Sequence, residues 1–179
     1  MEKYISKKEK ASYGFAAVGS YMVAGITQSY LMYFFTDILI IPSAFVMMLM
    51  IVARVWDALN DPMMGVIVDR TSTKYGKMRP YVLIGSFLML VTTIVLFMPL
   101  TGAPTMFKMI FAAVSYIIFG MAYTLTDVPA MGLMSVATPS SDERASLLSF
   151  YVTVGSVGSL LPVGLLTIFQ SFIPVSYTH

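Results

Sequence analysis

The chain contains no cysteine, and its single histidine is its last residue, His179. Disulfide frameworks, thiolate nucleophiles and Cys-ligated metals are therefore excluded, and a chain-end imidazole offers neither a triad base nor an internal ligand for zinc or copper. Charge is scarce too. Asp, Glu, Lys and Arg make up 11% of the 179 residues, against about 25% in ordinary soluble domains. What takes their place is apolar: 58% of the chain is hydrophobic, with a mean hydropathy of +0.81. This composition specifies an integral membrane protein and leaves no polybasic surface for nucleic acid.

Crossing the hydrocarbon core takes roughly 20 apolar residues in a helix. Five stretches fit, at about 13–36, 43–68, 80–99, 106–134 and 146–172. Short alternating segments of the kind that build a barrel are missing, so the expected fold is an all-α helical bundle in the lipid bilayer. Prolines punctuate the stretches, with Pro42 and Pro80 at helix starts and Pro99, Pro104 and Pro139 in turns. The run from Tyr13 is longer than a signal-peptide core and lacks a cleavage site, which makes it an uncleaved first span. Small residues four apart, Ala16, Ser20 and Ala24 in the first span and Gly155 with Ser159 in the fifth, predict close helix approach.

Basic residues fall in alternate connections: Lys3, Lys7, Lys8 and Lys10 before the first span, Arg70, Lys74, Lys77 and Arg79 after the second, Arg144 after the fourth. By the positive-inside rule these segments, and the amino terminus, are expected to be cytoplasmic in a multi-pass protein of the plasma or inner membrane. Only Lys108 breaks the pattern on the other side. The chain stops after an odd number of helices, and its final PVSYTH resembles a translated sequencing-adapter tail. It reads as an amino-terminal fragment whose residues 173–179 fall outside the native structure.

Within the second span stand Arg54, Asp57, Asn60 and Asp61. Ionisable groups at membrane depth cost several kcal/mol each, so an ion or solute pathway is the first reading of such a group. Helical spacing puts all four on one stripe, which must face protein or water. Three hard oxygen-bearing side chains within one turn suit a hard monovalent cation, and Arg54 with Asp57, Asp61 and Asp127 carries a net charge of −2 when all ionise. Sodium and a proton are both compatible with that excess. The fourth span adds Tyr123, Thr124, Asp127 and Pro129; Thr124 and Asp127 are i and i+3, and Pro129 frees the carbonyl of Leu125.

Two segments, ARVWDALNDPMMGVIVDRTSTKYGKMRPYVLIG beginning at Ala53 and GMAYTLTDVP beginning at Gly120, together resemble the glycoside-pentoside-hexuronide:cation symporters of the major facilitator superfamily, the melibiose permease-like group. The resemblance extends over residues 10–160. It implies a twelve-helix transporter in two halves, of which this chain supplies five helices and lacks the carboxy-terminal half. It also implies a cation site at Asp57, Asn60, Asp61 and Thr124, and a solute site bordered by Tyr123, Asp127 and Tyr21. A cytoplasmic gating motif would comprise Gly65, Asp69, Arg70, Gly76 and Lys77. No cofactor is implied beyond the coupling cation, Na+ or H+, and no metal beyond it. The partner is a small-molecule solute, a glycoside or related sugar. Sugar-contacting positions of the family are replaced here by Ser20, Tyr21, Met131 and Val152, which shifts the expectation away from galactosides.

Two other classes are compatible with paired intramembrane aspartates. An aspartyl protease would use them to share a proton and activate water, but its aspartates resemble YD and GxGD contexts, whereas these stand in WD and TD. A non-transporting helper or receptor would use them as a structural charge network around Arg54.

Overall fold

The computed structural model describes residues 4–172, and the expectation for 173–179 lies outside the described residues. The elements are α1 (Lys7–Tyr33), a π-helical turn (Phe34–Ile38), α2 (Ser43–Arg70), α3 (Arg79–Leu96), α4 (Thr105–Val136) and α5 (Ser141–Phe172). No strand occurs among the described residues. Helices cover each apolar stretch because a backbone in lipid satisfies its amides and carbonyls only within its own segment. Most run past the hydrocarbon edge into polar sequence. The 28 residues of α2 extend about 42 Å, against a core of about 30 Å.

Each helix start has a local cause. At α1, Ser6 and Glu9 form a reciprocal cap: Ser6 N donates to Glu9 Oε2 at 2.8 Å and Glu9 N donates to Ser6 Oγ at 3.2 Å. Pro42 and Pro104 precede α2 and α4, and Pro80 lies in the first turn of α3, where its missing amide costs nothing. The α2–α3 turn closes at Gly76, whose φ of +95° suits glycine.

Among the described residues four helices, α2, α3, α4 and the Ser141–Leu165 part of α5, are long and apolar enough to cross a membrane. α1 is long enough but less apolar, since Ser20, Tyr21, Thr27, Gln28, Ser29 and Tyr30 dilute it.

The chain forms two compact units. One joins the part ending at Tyr30 to the part beginning at Ser140, so it pairs α1 with α5; the other comprises Leu31–Pro139, with the π turn, α2, α3 and α4. In the first, the ring of Phe150 lies against Gly14, a Cβ on Gly158 would come 2.9 Å from the Cα of Val18, Gly155 is covered by the Tyr21 ring, and Gly25 approaches the backbone of Ser159. Gly155 and Ser159 thus lie in the close contact expected of them. The α1 residues in these contacts are Gly14, Val18, Tyr21 and Gly25; of the small residues expected there, Ala24 is buried, Ser20 half-buried and Ala16 exposed. The reason is reciprocal fit: glycine stands wherever the facing helix presents a ring or bare backbone.

In the second unit α4 is the central helix, packed against both α2 and α3. Gly85 lets α3 touch the α4 backbone at Leu125 and Thr126. Its core holds Val46, Leu49, Met89, Leu96, Ala112, Phe119 and Met134. The other face of α3 leaves Leu83, Phe87 and Ile94 exposed, the pattern of a lipid-facing surface.

Candidate functional site

α2 and α4 meet through polar side chains at two successive turns. Thr124 Oγ1 donates to Asp61 Oδ1 at 2.9 Å, and a Cβ placed on Gly120 would come 3.1 Å from Asp57 Oδ1. Both pairs are 63 positions apart, so the helices run parallel and advance together by one turn between them. Thr124 is buried and Asp57 half-buried, while Asp61 reaches Thr124 from an exposed position. The four expected cation ligands therefore occupy one short stretch of the second unit, three of them within about one turn of α2.

Asn60 is only 5% exposed, and its Nδ2 has no hydrogen-bond partner among the described residues; nor has the buried Nε1 of Trp56, one turn earlier. Two unsatisfied donors side by side are costly, about 1–3 kcal/mol each. Such a cost is characteristic of a site organised for something other than its own stability. Pro62 adds to the local irregularity: lying inside α2 just after Asp61, it provides no amide for the carbonyl of Ala58.

Arg54 is exposed on α2, and its charge acts on Asp57 and on Tyr116 of α4. The Asp61 charge acts on both Asp57 and Asp127. Asp127, half-buried, thus belongs to the same electrostatic cluster as the α2 carboxylates. Tyr123 packs beside Phe119 with ring centroids 6.4 Å apart. Tyr21 lies in the other compact unit, edge-to-face with the buried Tyr151 at 6.0 Å.

The residues expected in the cytoplasmic motif divide between helix and turn. Gly65 lies within α2 with open space around it, Asp69 and Arg70 form the exposed last turn of α2, and Gly76 and Lys77 occupy the turn itself. Lys77 Nζ donates to the Asp69 carbonyl at 3.3 Å, so it caps the helix rather than pairing with a carboxylate.

Sequence reasoning missed Gly120, Tyr116 and Trp56. The first two stand at i−4 and i−8 from Thr124, a spacing that marks one face of α4. The Trp56 indole sits one turn before Asn60 and was legible in the same way.

Residues 12–178 match the family described as MFS/sugar transport protein. An uncharacterized symporter, YjmB of Bacillus subtilis (strain 168), is 37% identical over 89% of this chain and 35% of its own length. The inner membrane symporter YicJ of Escherichia coli (strain K12) is 34% identical over 88% of this chain and 34% of its own. The putative glycoside/cation symporter YagG of the same organism is 33% identical over 90% of this chain and 35% of its own. The chain thus spans about a third of the length of the curated relatives it matches. These relatives are named as transporters, not enzymes, and with a polar cluster between membrane-crossing helices the chain belongs to the MFS/sugar transport family, the glycoside-pentoside-hexuronide:cation symporters of the major facilitator superfamily.

Proposed function

We propose that this chain is the amino-terminal part of a secondary transporter that couples Na+ or H+ to uptake of a glycoside or related sugar across the cell membrane, with its amino terminus cytoplasmic. Asp57, Asn60, Asp61 and Thr124 hold the cation; Asp127 and Tyr123 border the solute; Gly65, Asp69, Arg70, Gly76 and Lys77 serve the cytoplasmic gate. The observation that carries this reading is the 2.9 Å bond from Thr124 to Asp61, which places a hydroxyl oxygen from α4 among the oxygens of α2. Hard oxygens from two helices are what a sodium ion needs in exchange for its water, and carboxylates are what a proton needs.

A bound cation neutralises part of the acidic excess, and Asp61, whose charge acts on Asp127, transmits that change toward the solute. Coupling of this kind is reciprocal: solute tightens cation binding by the factor by which cation tightens solute binding. The name of YagG, a putative glycoside/cation symporter, supports the same class of solute.

The test is cation-dependent thermal stability of the protein in detergent or nanodiscs, since a ligand that binds the folded state raises Tm. Sodium or acid should raise Tm for the wild type and leave Asp61→Asn unchanged. No response in the wild type would instead favour a structural charge network around Arg54.

A further inference from the structure

At the start of α1 and α5, within the first compact unit, a cavity of about 190 Å³ is lined by Ser6, Lys7, Lys10, Glu143, Ser146 and Leu147. Lys10 reaches across it: Nζ donates to Ser146 Oγ at 3.5 Å and stands 4.9 Å over the ring of Phe150. Both carboxylate oxygens of Glu143 accept from the Tyr4 amide at 3.3 Å. Its helix has just begun, so the amide dipoles of the first turn offset part of that charge.

Three features of this cavity converge on one ligand chemistry. Two ammonium groups and one engaged carboxylate leave a residual charge of +1. Hydroxyls from Ser6 and Ser146 line the same walls and can donate to oxygens. Apolar groups adjoin these charges, with Leu147 buried in the lining and the Phe150 ring under Lys10, where charged sequence gives way to the apolar body of both helices. The volume is about six waters' worth of liquid, room for a phosphate with its ester oxygens.

We infer that this cavity between the starts of α1 and α5 binds the phosphodiester headgroup of an anionic glycerophospholipid. Lys7 and Lys10 take the phosphate charge, and Ser6 and Ser146 its oxygens. Its position at the polar boundary of a membrane-crossing helix is where such a lipid is available, and a monoanionic diester matches the residual charge. The site lies wholly outside the second unit, which holds the α2–α4 cluster, so it stands or falls independently of the proposed cation site.

The test is native mass spectrometry and thermal unfolding of the chain in detergent, with added phosphatidylglycerol, phosphatidylcholine of the same acyl chains, or inorganic phosphate. Phosphatidylglycerol should be retained and should raise Tm, with the other two weaker. In a Lys7→Gln/Lys10→Gln double variant its affinity should fall roughly thirtyfold, at about 1 kcal/mol for each lysine. Glu143→Gln, which keeps an acceptor for Tyr4 while removing a like charge, should tighten binding and so controls against a double variant that merely misfolds. Equal retention by wild type and double variant, or no preference for phosphatidylglycerol over phosphatidylcholine, overturns the inference. A Tm shift by inorganic phosphate equal to that by phosphatidylglycerol assigns the site to free phosphate and overturns the lipid.

Discussion

Thr124 gives its hydroxyl hydrogen to Asp61 of α2, whereas Thr126, two residues on, returns its own to the Ala122 carbonyl at 3.1 Å. Within one helix, the same side-chain type meets two fates. Back-bonding is the ordinary resolution for threonine in a helix. Thr124 departs from it because a carboxylate acceptor on the neighbouring helix is the stronger partner. Its two oxygen lone pairs stay available after it donates, which is what a shared ligand requires.

Replacing Thr124 by Ser should therefore preserve the cation response of Tm, and replacing it by Val should abolish that response. Val keeps the volume and removes only the hydroxyl, so the fold should lose about 1 kcal/mol or less where Asp61 is exposed to solvent. Thermal unfolding with and without Na+, and at two pH values, separates the two effects. A sodium response retained in Thr124→Val would remove Thr124 from the site.

Three glycines of the second unit should respond differently to the same added methyl. Gly65 has open space around it, so Gly65→Ala should stabilise by up to about 1 kcal/mol through helix propensity. Gly120→Ala meets Asp57 Oδ1 at 3.1 Å, a flexible side chain, and should cost little stability while displacing the carboxylate and weakening the cation response. Gly85→Ala meets Thr126 Oγ1 at 2.5 Å and α4 backbone at 2.9 Å, so it should destabilise by about 1–3 kcal/mol. Urea or thermal unfolding ranks the three, and an unaffected Gly85→Ala would contradict the α3–α4 contact.

The polar stripe of α2 and the polar window of α4 were legible in sequence because their residues sit at helical spacings inside apolar runs, whereas the pairing of Thr124 with Asp57, Asn60 and Asp61 was implied by the resemblance to the symporter family. Helix positions followed from the same runs. The π turn at Phe34–Ile38 was not legible: its residues, FFTDI, carry no spacing that distinguishes i→i+5 from i→i+4 hydrogen bonding. Nor was the α1 edge, since which small residue faces a partner depends on the partner's rings. The Tyr21 ring on Gly155 settles that in space, not in sequence.

Protonation should loosen the start of α1. Hydrogen bonds from the Ser6 amide and then the Ser6 hydroxyl region hold the Glu9 carboxyl below its usual pKa. For a carboxylate depressed by folding, the stabilisation is present above the unfolded value and fades as pH falls through the lower folded one. The cap should thus persist at neutral pH and release only in acid below the ordinary carboxylate range. Hydrogen exchange at the Ser6 amide, followed against pH, reads this directly; in Glu9→Gln the acid-dependent step should vanish.

At the other end of α1, Lys108 Nζ donates to the Leu39 carbonyl at 3.1 Å, next to Ile40, whose φ is +56°. A β-branched residue in the left-handed region costs of order 1–3 kcal/mol and persists only where its surroundings impose it. Lys108→Met should therefore raise hydrogen exchange across residues 34–41, while Ile40→Gly should suppress that increase by removing the strain. Unchanged exchange in Lys108→Met would mean that the π turn holds without the lysine.

Asn60 offers the sharpest separation of stability from function. Its Nδ2 is buried without a hydrogen-bond partner among the described residues, and the residue is 5% exposed. A leucine branches at the same carbon and has no donor to leave unsatisfied, so Asn60→Leu should stabilise the folded chain, by up to about 1–3 kcal/mol less what its larger side chain costs in packing. The same change removes an oxygen from the proposed cation site, so the Na+- or H+-dependent rise in Tm should disappear as the baseline Tm climbs. A residue kept at the expense of stability is the expected mark of a functional site. A destabilised Asn60→Leu would show that the amide is satisfied in the membrane, and a stabilised variant that still responds to cation would take Asn60 out of the ligand set.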